Sequence, residues 1–133
     1  MILGIGTDLA NIERIKKLLD KYGDKFRNRV FSKSEQEKAW SKQNEAANLA
    51  KRWAAKEACS KALGTGLSMK VSWREITVSN LKSGQPTVSL SGWAKKKLIE
   101  LTPNGYQSTI HVSLTDDHPW AQAFVLIDTN PRM

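Results

Sequence analysis

Only one cysteine, Cys59, occurs in the 133 residues. No disulfide can therefore form within the chain, and no cysteine cluster can hold a metal. That scarcity fits a reducing compartment, so a cytoplasmic protein is expected. Long apolar runs are also missing. No stretch approaches the ~20 residues needed to cross a bilayer, and no membrane partner is expected. The opening Met1-Ile2-Leu3-Gly4-Ile5-Gly6 lacks the basic segment and small-residue cleavage site of a secretory signal. Internal repeats, low-complexity tracts and linkers are absent, and the length suits one domain, residues 1–133, with a single modest core. Acidic residues are few: 13 against 21 lysines and arginines, a net charge of +8.

That imbalance calls for an anionic partner without choosing one. Much of it is local. Between Arg14 and Arg29, the seven basic residues Arg14, Lys16, Lys17, Lys21, Lys25, Arg27 and Arg29 meet only Asp20 and Asp24. On charge alone nucleic acid stands first, although a solvated helix face explains any single lysine. The five tryptophans, Trp40, Trp53, Trp73, Trp93 and Trp120, would suit base stacking. They lack the strand-based spacing of a stacking platform.

Hydrophobic periodicity predicts an α+β chain. Residues 2–8 alternate as a strand, with Leu3 and Ile5 on one side and Ile2, Gly4, Gly6 and Asp8 on the other. Asn11 caps a helix through Ile12, Ile15, Leu18 and Leu19 that ends near Gly23. A short helix over 25–30 follows. Ser32 or Ser34 caps another, with Glu35-Gln36-Glu37 in its first turn. A long helix spans about 44–63. Strands are expected at 75–79 and 87–91, joined through Lys82-Ser83-Gly84-Gln85-Pro86. A helix from Gly92 to about Leu101 stops at Pro103-Asn104-Gly105. Strands near 107–115 and 121–127 complete the domain, and the tail from about 129 is expected to be loose.

The long helix holds the most informative run, Arg52-Trp-Ala-Ala-Lys-Glu-Ala-Cys-Ser-Lys-Ala-Leu-Gly-Thr-Gly66. On a helical wheel Ala46, Leu49, Ala50, Trp53 and Ala54 form an apolar stripe, and Glu57 and Lys61 fall inside it. A charge aimed at packed surface costs several kcal/mol unless paired or bound to an ion, so this placement favours a site over a plain i,i+4 ion pair. Gly64-Thr65-Gly66 reads as a glycine cap, and it is no Walker loop because the Gly-Lys-Ser/Thr element is missing. Gly4 and Gly6, on the Asp8 side of the first strand, leave room for another backbone or a ligand. Asp8 itself would also serve simply to start a turn. Cys59 reads as a small packing residue.

The run from Trp53 to Gly66 resembles the second signature of the holo-acyl-carrier-protein synthases, the small trimeric 4′-phosphopantetheinyl transferases. Gly4-Ile5-Gly6-Thr7-Asp8-Leu9, with Ile12 and Arg14, resembles the first, and His111-Val112-Ser113-Leu114-Thr115 matches a third stretch. The three occur in the family's order and span nearly the whole chain. The resemblance implies a compact α+β domain with a long central helix packed on an antiparallel sheet. It also implies transfer of the 4′-phosphopantetheine group of coenzyme A to a serine of an apo-acyl carrier protein.

By the same resemblance Asp8 and Glu57 bind a catalytic Mg²⁺. Lys61 contacts a phosphate oxygen, and Glu57 orients or deprotonates a water that relays the serine proton. Coenzyme A is expected to meet Lys61, Gly64, Thr65, Gly66, Pro86 of the Gly-x-Pro loop, His111 and Arg52. Turn chemistry accounts equally for the loop, and solvent exposure equally for Arg52. Arg14, Lys17, Lys21 and Lys25 on the first helix are expected to receive the acidic carrier. A homotrimer with interfacial sites is implied. His118 departs from the family's pattern and is given no role.

Overall fold

The computed structural model describes residues 1–67 and 71–133. Strand β1 (Ile2–Asn11) leads into helices α1 (Ile12–Tyr22), α2 (Asp24–Val30), α3 (Lys33–Ala39) and α4 (Glu45–Leu63). A 3₁₀ turn (Trp73–Glu75) introduces strands β2 (Ile76–Asn80) and β3 (Pro86–Leu90). Helix α5 (Gly92–Leu101) and the hairpin of β4 (Tyr106–Asp117) and β5 (Trp120–Pro131) follow.

Local chemistry sets the boundaries. The Asn11 side chain accepts the Arg14 N–H at 3.2 Å and starts α1. Ser32 and Glu35 form a reciprocal capping box on α3, which satisfies two otherwise orphaned N–H groups. Gly64, at φ 80°, closes α4 in the left-handed conformation that glycine adopts without steric cost.

Three strands form an antiparallel sheet in the order β1-β5-β4, and β2 pairs with β3 in a separate ribbon. Helix α4 lies across the inner face of the larger sheet. Ala121, Ala123, Val125 and Ile127 of β5 are buried with Leu49, Ala50, Ala54, Ala58 and Ala62 of α4. Contact is closest at the two glycines of β1. A Cβ on Gly4 would stand 1.9 Å from the Ala62 carbonyl oxygen, and one on Gly6 would stand 1.8 Å from that of Ala58. Of the two occupants the sequence allowed beside these glycines, it is the helix backbone that fills the space.

The outer face of this sheet is uncovered within the protomer. Ile5 and Leu9 of β1 and Trp120 and Phe124 of β5 are exposed there. The expected α+β architecture, a long helix on an antiparallel sheet, is what the chain adopts.

Two expectations are corrected. The tail is not loose from residue 129: β5 continues to Pro131, and Thr129 is buried. Its N–H donates to the Met1 carbonyl and its hydroxyl to the Gln107 carbonyl, so both neighbouring strands hold it. Second, Glu57 and Lys61 do not point into packed surface. Helix α4 is covered on most sides, with Ala55, Cys59 and Leu63 buried as fully as Leu49 and Ala50. The stripe through Ala46 and Trp53 is the less covered edge, where Glu57 is half-buried and Lys61 exposed.

Candidate active site

Asp8 near the end of β1 and Glu57 in mid-α4 line one cavity of about 320 Å³, together with Asn11, Arg14, Trp53 and Trp120. The close glycine contacts hold β1 against α4 and so bring the two carboxylates to a common space. Lys61 donates to Asp8 Oδ1 at 3.2 Å and to the Thr7 carbonyl at 3.1 Å. The ion pair therefore joins two elements and does not run between Glu57 and Lys61 along the helix. Burial raises the Glu57 carboxyl above its ordinary proton affinity, and the neighbouring Asp8 charge raises it further; Lys61 and Arg14 act against both. Among the described residues no three histidine, cysteine or carboxylate side chains cluster as a metal cage.

Arg14 and Trp53 also line a second cavity, a groove of about 440 Å³ whose other walls are Leu18, Tyr22, Lys25, Phe26, Arg29, Val30 and Trp73. Its apolar walls include a run of aromatic rings. Trp53 and Trp73 lie 4.3 Å apart between ring centroids, and Phe26 and Trp53 lie 5.9 Å apart. Arg14, Lys25 and Arg29 are exposed around these rings. Lys17 and Lys21 are exposed on α1 outside the groove lining, and Lys21 lies over the Tyr22 ring at 5.2 Å. Trp53 packs against the core and lines both the carboxylate cavity and the basic groove.

Arg52 and Pro86 meet in a third cavity of about 340 Å³, lined also by Lys38, Asn48, Lys51, Val78, Asn80, Gly84 and Leu114. Arg52 is not a solvated surface residue. It is 8% exposed, and among the described residues its Nε has no hydrogen-bond partner. Nη1 donates to the Asn48 carbonyl at 3.0 Å. Burial lowers its proton affinity, while the charge of Glu35 acts against this. Its remaining donors stand beside Lys38 and Lys51 of the cavity lining, where Lys51 pairs with Asp116 at 3.0 Å.

The other expected contacts are dispersed within the protomer. Gly64, Thr65 and Gly66 form the turn after α4. Thr65 is buried and its hydroxyl donates to the Gly66 carbonyl at 2.8 Å, so the turn offers mainly backbone. His111 lies on β4 with its ring 3.4 Å from Asp128. Three residues further along the strand Leu114 lines the Arg52 cavity, so strand alternation puts His111 on the opposite, outer face. His118 pairs with Glu13 at 2.8 Å.

Sequence reading missed the most deeply buried ion pair, Lys56 with Glu35, at 2.9 Å and with neither side chain exposed. The capping motif identified Glu35 only as a cap. Lys56, next to Glu57, carried no signal that it points into the interior.

A long helix packed on an antiparallel sheet, with two carboxylates on one cavity, is the frame on which the chain's transferase class is built. The 4′-phosphopantetheinyl transferase superfamily model matches residues 4–123, and the chain belongs to that superfamily. It is similar to the holo-[acyl-carrier-protein] synthase of Dinoroseobacter shibae, 64% identical over 98% of this chain and 94% of the relative. The synthase of Roseobacter denitrificans is 63% identical over 98% of each. Among solved structures, the Neisseria meningitidis synthase superposes with a TM-score of 0.82 at 34% identity, covering 96% of this chain and 99% of the other. The Helicobacter pylori synthase in complex with coenzyme A gives 0.79 at 31%, covering 93% and 99%.

Proposed function

We propose that the chain transfers the 4′-phosphopantetheine group of coenzyme A to a serine hydroxyl of an apo-acyl carrier protein. It does so as a single transferase domain in the cytoplasm. The serine oxygen forms a new bond to the phosphorus that carries the pantetheine arm. The bond from that phosphorus to the bridging oxygen breaks, and adenosine 3′,5′-bisphosphate leaves with that oxygen. The carrying observation is that Asp8 and Glu57 share a cavity, and that two of its lining residues, Arg14 and Trp53, also line a basic, aromatic-walled groove.

Each residue's task follows from where it sits. The groove suits an acidic helical partner, with Arg14, Lys25 and Arg29 contacting its carboxylates and Trp53, Trp73 and Phe26 its apolar side chains. Arg14 lines both spaces and marks where the serine would enter. Lys17 and Lys21 extend the positive field along α1 and raise the encounter rate. Glu57, with its raised proton affinity, orients a water and accepts the proton the serine gives up. Arg52, with Lys38 and Lys51, fits a phosphate of the nucleotide, and Pro86 with Gly84 forms the neighbouring wall. Lys61 moves between Asp8 and a phosphate oxygen, and the Gly64–Gly66 turn lets the diphosphate approach the backbone closely.

The residues fit a Mg²⁺ ion. Asp8 and Glu57 are two hard oxygen donors on one cavity, and the pairing of Asp8 with the Lys61 ammonium supports a cation at that carboxylate. When bound, such an ion neutralises charge on the diphosphate.

A homotrimer accounts for two features that one protomer leaves open. The sheet's outer face exposes Ile5, Leu9, Trp120 and Phe124, an apolar surface of the kind that marks an interface. The residues expected to contact coenzyme A also line separate cavities in one chain, as they would if a site were completed between subunits.

The test is incubation with coenzyme A, Mg²⁺ and an apo-carrier protein, read by intact mass. A carrier that gains the phosphopantetheine mass supports the assignment. No gain across several carriers rejects it.

A further inference from the structure

The Glu35–Lys56 pair is more than a buried salt bridge, because its remaining hydrogen-bonding capacity goes to the edge of a strand. Lys56 Nζ donates to Glu35 Oε1 at 2.9 Å, to the Trp73 carbonyl at 2.9 Å and to the Ile76 carbonyl. Glu35 Oε2 accepts the Val78 N–H at 2.8 Å, and Oε1 also accepts the Ser32 N–H at 2.8 Å.

Ile76 and Val78 are alternate residues of β2. The chain on either side of the strand directs its odd-numbered backbone groups toward β3: Ser91 N–H donates to the Glu75 carbonyl, and Leu81 N–H to the Gln85 carbonyl. The even-numbered groups face away from the ribbon. In a strand the carbonyl of one residue and the N–H two residues on point to the same side. One acidic and one basic side chain thus occupy the place of a missing neighbouring strand.

We propose that Glu35 and Lys56 are positioning residues that fix β2, and with it the hairpin wall of the Arg52 cavity, for coenzyme A binding. The elements that line that cavity meet at the pair. Lys38 lies one turn beyond Glu35 on α3, Arg52 one turn before Lys56 on α4, and Val78 is bonded to Glu35 directly. A purely stabilising pair would be needed equally by every part of the site. Glu35's backbone partners, the Ser32 and Val78 N–H groups, lie on the nucleotide side, whereas Lys56 also bonds the carbonyl of Trp73, a residue of the basic groove. The inference rests on the transferase reading above.

The test compares the parent, Glu35→Asp and the double variant Glu35→Leu/Lys56→Met by calorimetric titration with coenzyme A and by the carrier KM. Glu35→Asp keeps the charge pair but withdraws the carboxylate from the Val78 N–H. The double variant removes both charges at similar volume, which a folded core can tolerate. Coenzyme A affinity falls about tenfold in both variants, while the carrier KM of Glu35→Asp, which leaves the Lys56–Trp73 bond in place, stays within about twofold, as expected when one wall of a site is displaced slightly. A folded variant that binds coenzyme A like the parent overturns the inference, and Glu35→Asp decides this alone if the double variant does not fold. Parallel losses in coenzyme A affinity and carrier KM in Glu35→Asp also overturn it, because the pair would then be merely structural. A parent that binds no coenzyme A would instead reject the transferase reading, and the inference with it.

Discussion

Glu57 carries two opposed requirements, and both can be measured on one substitution. Given its proposed role of orienting water and taking up a proton, its replacement by glutamine should lower kcat by about 10²–10⁴-fold. Its folded carboxyl holds a proton more tightly than the ordinary value of 4.5, because it is half-buried and faces Asp8. Folding stability therefore falls as pH rises from the unfolded value through the folded one. Glu57→Gln escapes that loss. In metal-free buffer it melts above the parent at about pH 7, and the gap closes toward about pH 4, where the parent's carboxyl is protonated in both states. An equal gap at both pH values would show that the carboxylate is not strained by its surroundings. Cys59 gives an independent residue-scale check. Burial pushes its thiol up to about 12, so the folded protein should resist alkylation at neutral pH and label promptly once unfolded. Rapid labelling of the native chain contradicts the packing described. The sequence singled out Asp8, Glu57 and Lys61 but not the pairing the structure gives them. Lys61 meets Asp8 across 53 positions of chain, and no local spacing encodes such a contact. Nor could a helical wheel separate Lys56 from its neighbours, because a helix covered on most sides has no single apolar stripe to orient it.

At the scale of elements, caps and glycines were the readable features. Asn11, Ser32 and Gly64 mark helix ends because each satisfies an orphaned backbone group or supplies a positive φ. The strands of the last hairpin were legible in type but not in extent. Their alternation fades at Asp116–Asp117 and again after Ile127, and pairing to the neighbouring strands carries them further. The two glycines of β1 tie the fold to the chemistry. With a carbonyl of α4 about 1.8 Å from where a Gly6 Cβ would be, Gly6→Ala must push the strand from the helix. Overpacking of this kind costs about 1–3 kcal/mol. It also separates Asp8 from Glu57. Urea denaturation should show the lowered midpoint, and kcat should fall in the fraction that remains folded. An alanine variant with parental stability would mean that β1 and α4 are not in this register.

For the whole molecule, composition pointed less surely than the sites do. A net charge of +8 suits nucleic acid as well as an acidic protein, and the transferase family match over residues 4–123 distinguishes the two. Which residues would complete a coenzyme A site was least legible, because the expected contacts are scattered along the chain and follow no periodicity. His111 provides the decisive test. It stands on the outer sheet face opposite Leu126, with Phe124 opposite Ser113 two residues along the strand, whereas Glu57 lies against the inner face. If a site takes its carboxylates from one subunit and His111 from the next, then His111→Ala and Glu57→Gln subunits are each inactive alone but complement when mixed. Random assembly of equal amounts makes one interface in about four intact in both positions, so about a quarter of parental activity should return in a closed ring. His111 is exposed, so its loss should leave the melting temperature unchanged. A monomeric parent, or mixed subunits no more active than either alone, would place every catalytic contact within one protomer. The apolar outer face would then need another explanation.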